Sequence, residues 1–543
     1  MDNGKVIKLD TTDRISQLPE SILHHILTIS YSDSPKLLVR MSVLSKYWFS
    51  LTAAFPILDF DIGKFNTAIN GPWSAISSEV NVVDKFFRYV EYTTSRYCQQ
   101  KLNVHTFKLY TCIQNATQVN VIDKCLALIL MEGIKVLEIN IFEWPLVPSN
   151  NSAKTSYRLT NILLLAASSL TSLTVCNCCL PLSFKVDIVT FKSLKLLHLY
   201  RIPIDEKVIK HLTTSCPILE ELSVKYCYGF KTFWVCGLQN LQKVWFYYRP
   251  GFESVDIKVP NLCCLSIINS YGMGAPRMNF TSCKQLRSLH LDGIPSSTSE
   301  AFSDLLRNFP FLESLFLKFP DQCEILKLSS PSLRKLVLHT KCSLDAIDIN
   351  TPNLVLFSYS GYLLESDSLK LKPRMECYPE NVVGTLWIQK LRRFLDKKYG
   401  FRVLKLQFTS TNIKDIEELK VLQWPPYELE HVELELHSIE ELSAYFTIVD
   451  AVLWCCRPQS LSLTSCFTIA NMERHVIKFI YEKLLQQEDR GPTNIQIVFT
   501  ASFKGKKRFS NLNSLLAALP RYDQLSQTIT FTKEKVVQGK KEE

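Results

Sequence analysis

The sequence has no segment fit to cross a bilayer. Its longest apolar runs, Cys125–Met131 and Ile162–Ala167, fall far short of the ~20 residues a membrane helix needs. The opening residues, MDNGKVIKLDTTDR, hold no apolar core of the kind a secretory signal carries, so secretion is not expected. No phosphate loop, H-E-x-x-H or nucleophile elbow is present, and with them go common signatures of phosphate, zinc and serine chemistry. No catalytic residue, metal or cofactor is therefore expected. The adjacent His24-His25 fall in a helical pattern where neighbours point apart, and Glu220-Glu221 and Glu417-Glu418 read as solvated faces.

Concentrated charge is missing too. A net charge of +10 is spread over 543 residues in short runs, whereas a nucleic-acid groove shows a basic face. One run, Lys504-Gly505-Lys506-Lys507-Arg508, reads as a solvated loop or a nuclear-import patch. The 18 cysteines stand singly or adjacent, as at Cys178-Cys179, Cys263-Cys264 and Cys455-Cys456. The one C-x-x-C, Cys176 to Cys179, has no partner pair at zinc-finger spacing and reads as core. Without a secretory signal, the cysteines are expected to be reduced, buried side chains of a protein in the cytoplasm or nucleus.

A repeat is present. The pattern L-x-x-L-x-L, with Ile, Val, Phe or Tyr allowed, starts at Val104, Ile134, Leu170, Leu194, Leu219, Leu241, Leu262, Leu286, Leu312, Leu333 and Leu354. From Leu170 onward the starts lie 21–26 residues apart, inside the leucine-rich-repeat period of ~20–29. Alternate residues of a short strand share a face, and stacked units bury their leucines against one another as a parallel sheet. Several units follow a proline, as at Cys216-Pro217, Val259-Pro260, Phe309-Pro310, Ser330-Pro331 and Thr351-Pro352. The longer units predict helices over Asp205–Thr214 and Ser299–Asn308; the shortest leave room for extended or single-turn connections. After Tyr359 the phase breaks, with a helix predicted over Asn381–Lys398. Weaker units return at Phe401-Leu404-Leu406, Leu429-Val432-Leu434 and around Leu461-Leu463. A capping helix is predicted over Met472–Leu485, and a charged, disordered tail over Lys533–Glu543.

Ahead of the repeats, Asp13–Phe60 reads as two short helices. Leu18-Pro19 sets a helix start, followed by Ile22, Leu23, Ile26 and Leu27 at helical spacing. Tyr31–Pro35 reads as a loop, and Leu37, Leu38, Val39, Val43 and Leu44 form a second apolar series closing on Trp48. So small a pair needs a partner or neighbouring domain to cover its apolar faces. The leucine-proline start, the Ile26-Leu27 pair and the end Ser42-Val43-Leu44-Ser45-Lys46-Tyr47-Trp48 resemble the F-box of plant F-box proteins. Tyr47 stands where that pattern has arginine, and the Tyr31–Lys36 loop is longer than usual. With the repeats, the whole order resembles plant F-box/leucine-rich-repeat proteins.

That resemblance implies an α/β architecture: a small helical F-box, then an irregular, curved leucine-rich-repeat solenoid. A parallel sheet would line the concave face, with helices and short loops on the convex face. The expected layout is a flexible start (1–12), F-box (13–60), helical linker (61–103, with a helix over Val82–Tyr92), repeats (104–365), helical interruption (366–400), degenerate repeats (401–470), cap (471–530) and disordered tail (531–543). The resemblance also implies docking to a Skp-family adaptor, and through it to a cullin–RING ubiquitin ligase, by Leu18, Pro19, Ile22, Leu23, Ile26, Leu27, Val43, Leu44 and Trp48. Between the leucines, His198, Tyr200, Lys225, Trp245, Tyr247, His290, Phe316 and His339 share one sheet face, with Ser223, Ser266, Asp292, Lys318 and Val337. Aromatic, imidazole and lysine side chains there suit recognition of a target protein, with no membrane or nucleic acid involved. A small-molecule-dependent receptor of the same architecture and a ligase-independent repeat scaffold are the other readings.

Overall fold

The computed structural model describes residues 15, 17–33, 40–70, 80–142, 157–159, 163, 167–180, 191–269, 276–292, 306–318, 325–339, 346–360, 374–378, 384–397, 402–408, 419, 421–422, 424–436, 441–465, 472–487, 493–501, 505–518 and 527–535. They divide into two compact units, Met1–Leu241 and Gln242–Glu543.

The first unit opens with α1 (Glu20–Asp33) and α2 (Lys46–Ala53). Pro19 precedes α1, its carbonyl accepting from the N–H of Ile22 and Leu23. The helix runs through Tyr31, Ser32 and Asp33, where the sequence reading put a loop. None of these residues breaks a helix, and Pro35 lies beyond them. Leu37, Leu38 and Val39 lie outside the described residues. Ser45 caps α2, its hydroxyl accepting from Trp48 N–H at 3.1 Å. That bond satisfies a backbone N–H that the first turn of the helix would otherwise leave unpaired. Leu23, Leu27, Trp48, Leu51 and Phe55 then form one core, with Met41 and Ile57 against it.

Next come β1 (Ile57–Asp61), α3 (Ile62–Asn70), α4 (Val80–Gln99), β2 (Thr106–Thr111), α5 (Ala116–Met131), β3 (Val136–Ile141), β4 (Ser172–Cys176), β5 (Leu196–Tyr200), α6 (Glu206–Ser215), β6 (Glu221–Lys225) and β7 (Thr232–Cys236). β1 to β6 pair in chain order, all parallel. Phe55, Leu58 and Phe60 are buried and repeat the leucine triplet, so the first repeat lies inside the stretch read as F-box. Tyr97 of α4 ties the join, its hydroxyl donating to the carbonyl of Ala53 at 2.9 Å. The helix predicted over Val82–Tyr92 is thus longer, and buries Val82, Val83, Phe86, Phe87 and Val90.

The second unit runs β8 (Lys243–Tyr248), β9 (Ser254–Lys258), β10 (Cys264–Asn269), β11 (Arg277–Asn279), β12 (Ser288–Asp292), β13 (Ser314–Lys318), β14 (Ile325–Ser329), β15 (Lys335–His339), β16 (Ala346–Asn350), β17 (Leu356–Ser360), β18 (Arg374–Tyr378), α7 (Thr385–Lys397), β19 (Val403–Phe408), β20 (Tyr427–Leu436), α8 (Leu442–Cys455), β21 (Cys456–Ser465), α9 (Met472–Gln486), β22 (Thr493–Ala501), β23 (Gly505–Phe509), α10 (Leu512–Ala518) and β24 (Gln527–Lys535). A parallel ladder links β8, β10, β12, β13, β15, β17, β18, β19, β20 and β21 in turn.

Every predicted leucine triplet is buried, save that Phe401 lies outside the described residues. The prolines ahead of them occupy the second position of a turn: Leu219, Leu262, Leu312 and Leu354 each donate N–H to the residue three before, just ahead of the proline, and the fixed φ of proline suits that position.

Four expectations need correction. The ladder does not break after Tyr359, because β18 carries it from β17 to β19; its buried Cys377 is a weak apolar signal. Some connections are strands rather than helices and loops: β9 pairs with β11 and β14 with β16, in ladders of their own. The tail is ordered through Lys535, since β24 runs antiparallel to β21 and β22. The basic run from Gly505 to Arg508 lies on strand β23, which among the described residues pairs with β22 alone, and Lys504 lies outside the described residues. Lys506, Lys507 and Arg508 are exposed there, and such charge opposes pairing with another chain's edge. Of the helix predicted over Ser299–Asn308, only its final residues lie within the described part.

Candidate functional site

The helix pair has two apolar faces with different fates. Leu23 and Leu27 of α1 turn into the core with Trp48, at 0, 0 and 4% exposure. On a neighbouring face Ile22, Ile26 and Ile29 align by helical spacing; Ile22 and Ile29 are exposed and Ile26 is half-buried. Leu18 and Pro19 are exposed at the helix entrance. Val43 and Leu44, in the turn before α2, are 80 and 67% exposed.

Of the nine residues given by the F-box pattern, five are therefore open to a partner, one partly so, and three serve the core. Sequence reasoning missed Ile15, Ile29, Tyr47 and Phe49, all exposed. Tyr47 keeps an apolar body on this surface where the pattern has arginine. A monomer seldom leaves so many large apolar groups open without a partner.

The sheet faces carry the second set. All eight positions expected on them are half-buried, since each strand alternates buried leucines with outward residues. In the first unit, Thr174, His198 and Ser223 align across β4, β5 and β6, and Cys176, Tyr200 and Lys225 form the next row. The imidazole Nε2 of His198 meets the Glu221 carboxylate at 2.8 Å. Glu220 pairs with Lys195 at 2.7 Å.

In the second unit, Trp245 aligns with Ser266, and Ser266 with His290, Phe316 and Val337. The Phe316 ring lies 3.7 Å from the imidazole of His290 and 4.9 Å from that of His339. Asp292 is buried beside them and accepts from the Asn269 N–H at 3.2 Å, with His290 and Lys318 at 3.4 and 3.9 Å. Ser223 and Ser266 are likewise buried rather than open, because a short side chain sinks between longer neighbours. Tyr247 and Lys318 are half-buried.

Farther along, Lys405 bonds Glu435 at 2.6 Å and Glu433 at 3.3 Å. Burial alone would lower its pKa, but the two carboxylates outweigh that and raise it. That lysine is committed to neutralising its own strand neighbours.

Sequence reasoning also missed the residues just past the strands. Asn177, Arg201 and Tyr226 follow β4, β5 and β6, all with left-handed φ of 56, 51 and 56°. Arg201 is exposed, its Cζ lying 5.2 Å from the Tyr200 ring centre and 6.0 Å from that of Tyr226. The tyrosines meet edge to face at 5.4 Å. Contacts of these kinds contribute ~0.5–1 kcal/mol each when exposed.

No group of three metal-binding side chains occurs among the described residues, and no helix there is long and apolar enough to cross a membrane. The cysteines described carry no disulfide. Cys178 is buried, but Cys176 and Cys179 are half-buried, so only the middle of the C-x-x-C neighbourhood is core.

Comparison with known proteins agrees with this geometry. Residues 98–274 match the family model described as At1g61320/AtMIF1, LRR domain. The Arabidopsis thaliana F-box/LRR-repeat protein 25 is 24% identical over 266 residues, covering 48% of this chain and 87% of that protein. The F-box/FBD/LRR-repeat protein At1g13570 is 29% identical over 262 residues, 48% of this chain and 54% of that one. The FBD-associated F-box protein At3g52670 is 27% identical over 277 residues, 48% and 55% respectively. The chain thus spans about half the length of the latter two. Buried triplets in a parallel ladder, the capped helix pair and these likenesses agree: the chain is similar to the plant F-box/leucine-rich-repeat proteins.

Proposed function

We propose that this protein is a substrate-recognition adaptor of a Skp–cullin–F-box ubiquitin ligase and carries no active site of its own. The supporting observation is the outward face of the helix pair, where Leu18, Ile22, Val43 and Leu44 are exposed. A Skp-family adaptor would cover that face, and the repeats would hold the target. Such an adaptor acts by position, raising the concentration of target lysines at the conjugating enzyme. It would work in the cytoplasm or nucleus, the compartments expected from the sequence.

The test is co-purification of the full chain with a Skp-family adaptor, beside a Val43→Asp, Leu44→Asp chain whose melting is unchanged. Retention of the first and loss of the second supports the proposal. Equal retention of both moves the contact elsewhere, and retention of neither leaves a repeat scaffold outside any ligase.

A further inference from the structure

We propose that the rim where β4, β5 and β6 end is the part of the repeats that grips the target, and that it takes a carboxylate from an acidic peptide segment. This rests on the reading of the repeats as a target-binding surface, and names both the place and the partner's chemistry. Arg201 is exposed, and among the described residues its guanidinium lies over the two tyrosine rings rather than against a carboxylate. Three cations on or beside the strands of this unit are by contrast matched: Lys108 with Glu138 at 3.0 Å, Lys195 with Glu220 at 2.7 Å and Lys64 with Asp59 at 3.1 Å. A guanidinium lying over ring faces still presents its N–H edge, whose fork matches a carboxylate.

The rim is also pre-organised. The left-handed backbone at Asn177 and Arg201 is locked, their N–H groups donating to the carbonyls of Tyr200 and Lys225 in the next strand, both at 2.9 Å. Little freedom is then lost when a ligand arrives. Tyrosine and arginine are moreover the residue types that dominate protein contacts. Arginine and tyrosine would also suit a single-stranded nucleic acid, but that needs a basic track for the backbone. Glu138, Glu221 and Asp59 on the outward strand positions interrupt any such track.

The experiment is selection of random displayed peptides of ~12 residues on the immobilised full chain, then binding of the synthesised winners by fluorescence anisotropy. Winners rich in Asp or Glu are expected, weakened about tenfold or more by Arg201→Ala and by added salt, and partly restored by Arg201→Lys. Melting of each variant must match the parent. Winners that are not acidic, or that bind Arg201→Ala equally well, overturn the rim proposal while leaving the repeats as a protein-binding surface. No enrichment of any peptide overturns both. A labelled oligouridine bound through Arg201 in preference to the peptides also overturns it.

Discussion

The carbonyl oxygen of Pro56 accepts hydrogen bonds from His105 N–H at 2.9 Å and from the next residue, Thr106, at 3.1 Å. The same pairing recurs up the sheet, with Lys135 and Val136 on the carbonyl of His105, and Thr171 and Ser172 on that of Lys135. Pro56 therefore holds the position of a repeat residue, although it belongs to the stretch that resembles an F-box. Phe55 lies in the helix-pair core and opens the first triplet, so the helix pair and the sheet share one apolar core.

Removing residues 1–60 therefore removes β1 as well as the helix pair. The shortened chain is expected to expose the edge of β2 and to associate, with a lower melting temperature. Removing residues 1–12 should leave both properties unchanged. Size-exclusion chromatography and thermal melts decide it; a monomeric chain lacking 1–60 with unchanged melting would show that β1 is dispensable.

Trp48 and the Val43-Leu44 pair should separate stability from binding. Trp48→Ala opens a cavity in the helix-pair core and is expected to cost ~3–5 kcal/mol. Ser45→Ala loses the cap and should cost ~1 kcal/mol. Val43→Ala with Leu44→Ala lies at the surface and should change stability by under about 0.5 kcal/mol. Urea melts give all three, and an undisturbed Trp48→Ala chain would refute the core assignment.

Gly229 is held on two counts. Its φ is +100°, and a Cβ added there would meet the Ile204 carbonyl oxygen at 2.7 Å, beside the bridge that joins Pro203 to Tyr228. Gly229→Ala is expected to cost ~1–3 kcal/mol. Gly133, with φ of +76° but open space around it, should lose only ~1 kcal/mol. Equal losses in the two variants would show that the contact with Ile204 is immaterial.

The buried thiols predict an alkaline weakness. Burial pushes Cys216 up to about 12 from 9.0, and Cys112 up to about 11. The Cys456 thiol is likewise pushed up to about 12 by burial, against the opposing pull of Arg392. Above 9.0 the unfolded chain releases these protons and the folded chain keeps them. Stability is therefore intact below that pH and falls as pH rises toward about 12, by up to ~1.4 kcal/mol per pH unit for each thiol. Urea midpoints should be lower at about pH 10 than at about pH 7.5, and less so after Cys216→Ala. Equal midpoints would mean these thiols are not buried in solution.

The repeats were legible because Leu, Val and Phe at three fixed positions are what a stacked strand must bury, and the prolines ahead of them mark its turns. Their ends were not. Phe55-Leu58-Phe60 obeys the same rule but sits inside another motif. The strand Gln527–Lys535 alternates Ile529 and Phe531 with threonines, a period of two that its charged end obscured. The F-box pattern named its apolar residues without dividing them. Spacing alone separates them only partly, since Leu23 and Leu27 lie on a stripe about 100° around the helix from Ile22 and Ile26. Arg201 and Tyr226 lay beyond any apolar pattern, because only the left-handed backbone after each strand sets them side by side.

The antiparallel return of β24 onto β21 gives the folding of the second unit a direction. From β8 to β20, each ladder strand is covered by one that leaves the ribosome soon after it. β21 instead waits for Gln527–Lys535, and β22 pairs with that same strand. A nascent chain released before Gln527 would carry an open parallel sheet, the kind of edge that recruits other chains. Translation of those few residues thus closes the sheet against association, and premature termination just before them should be far more damaging than their number suggests.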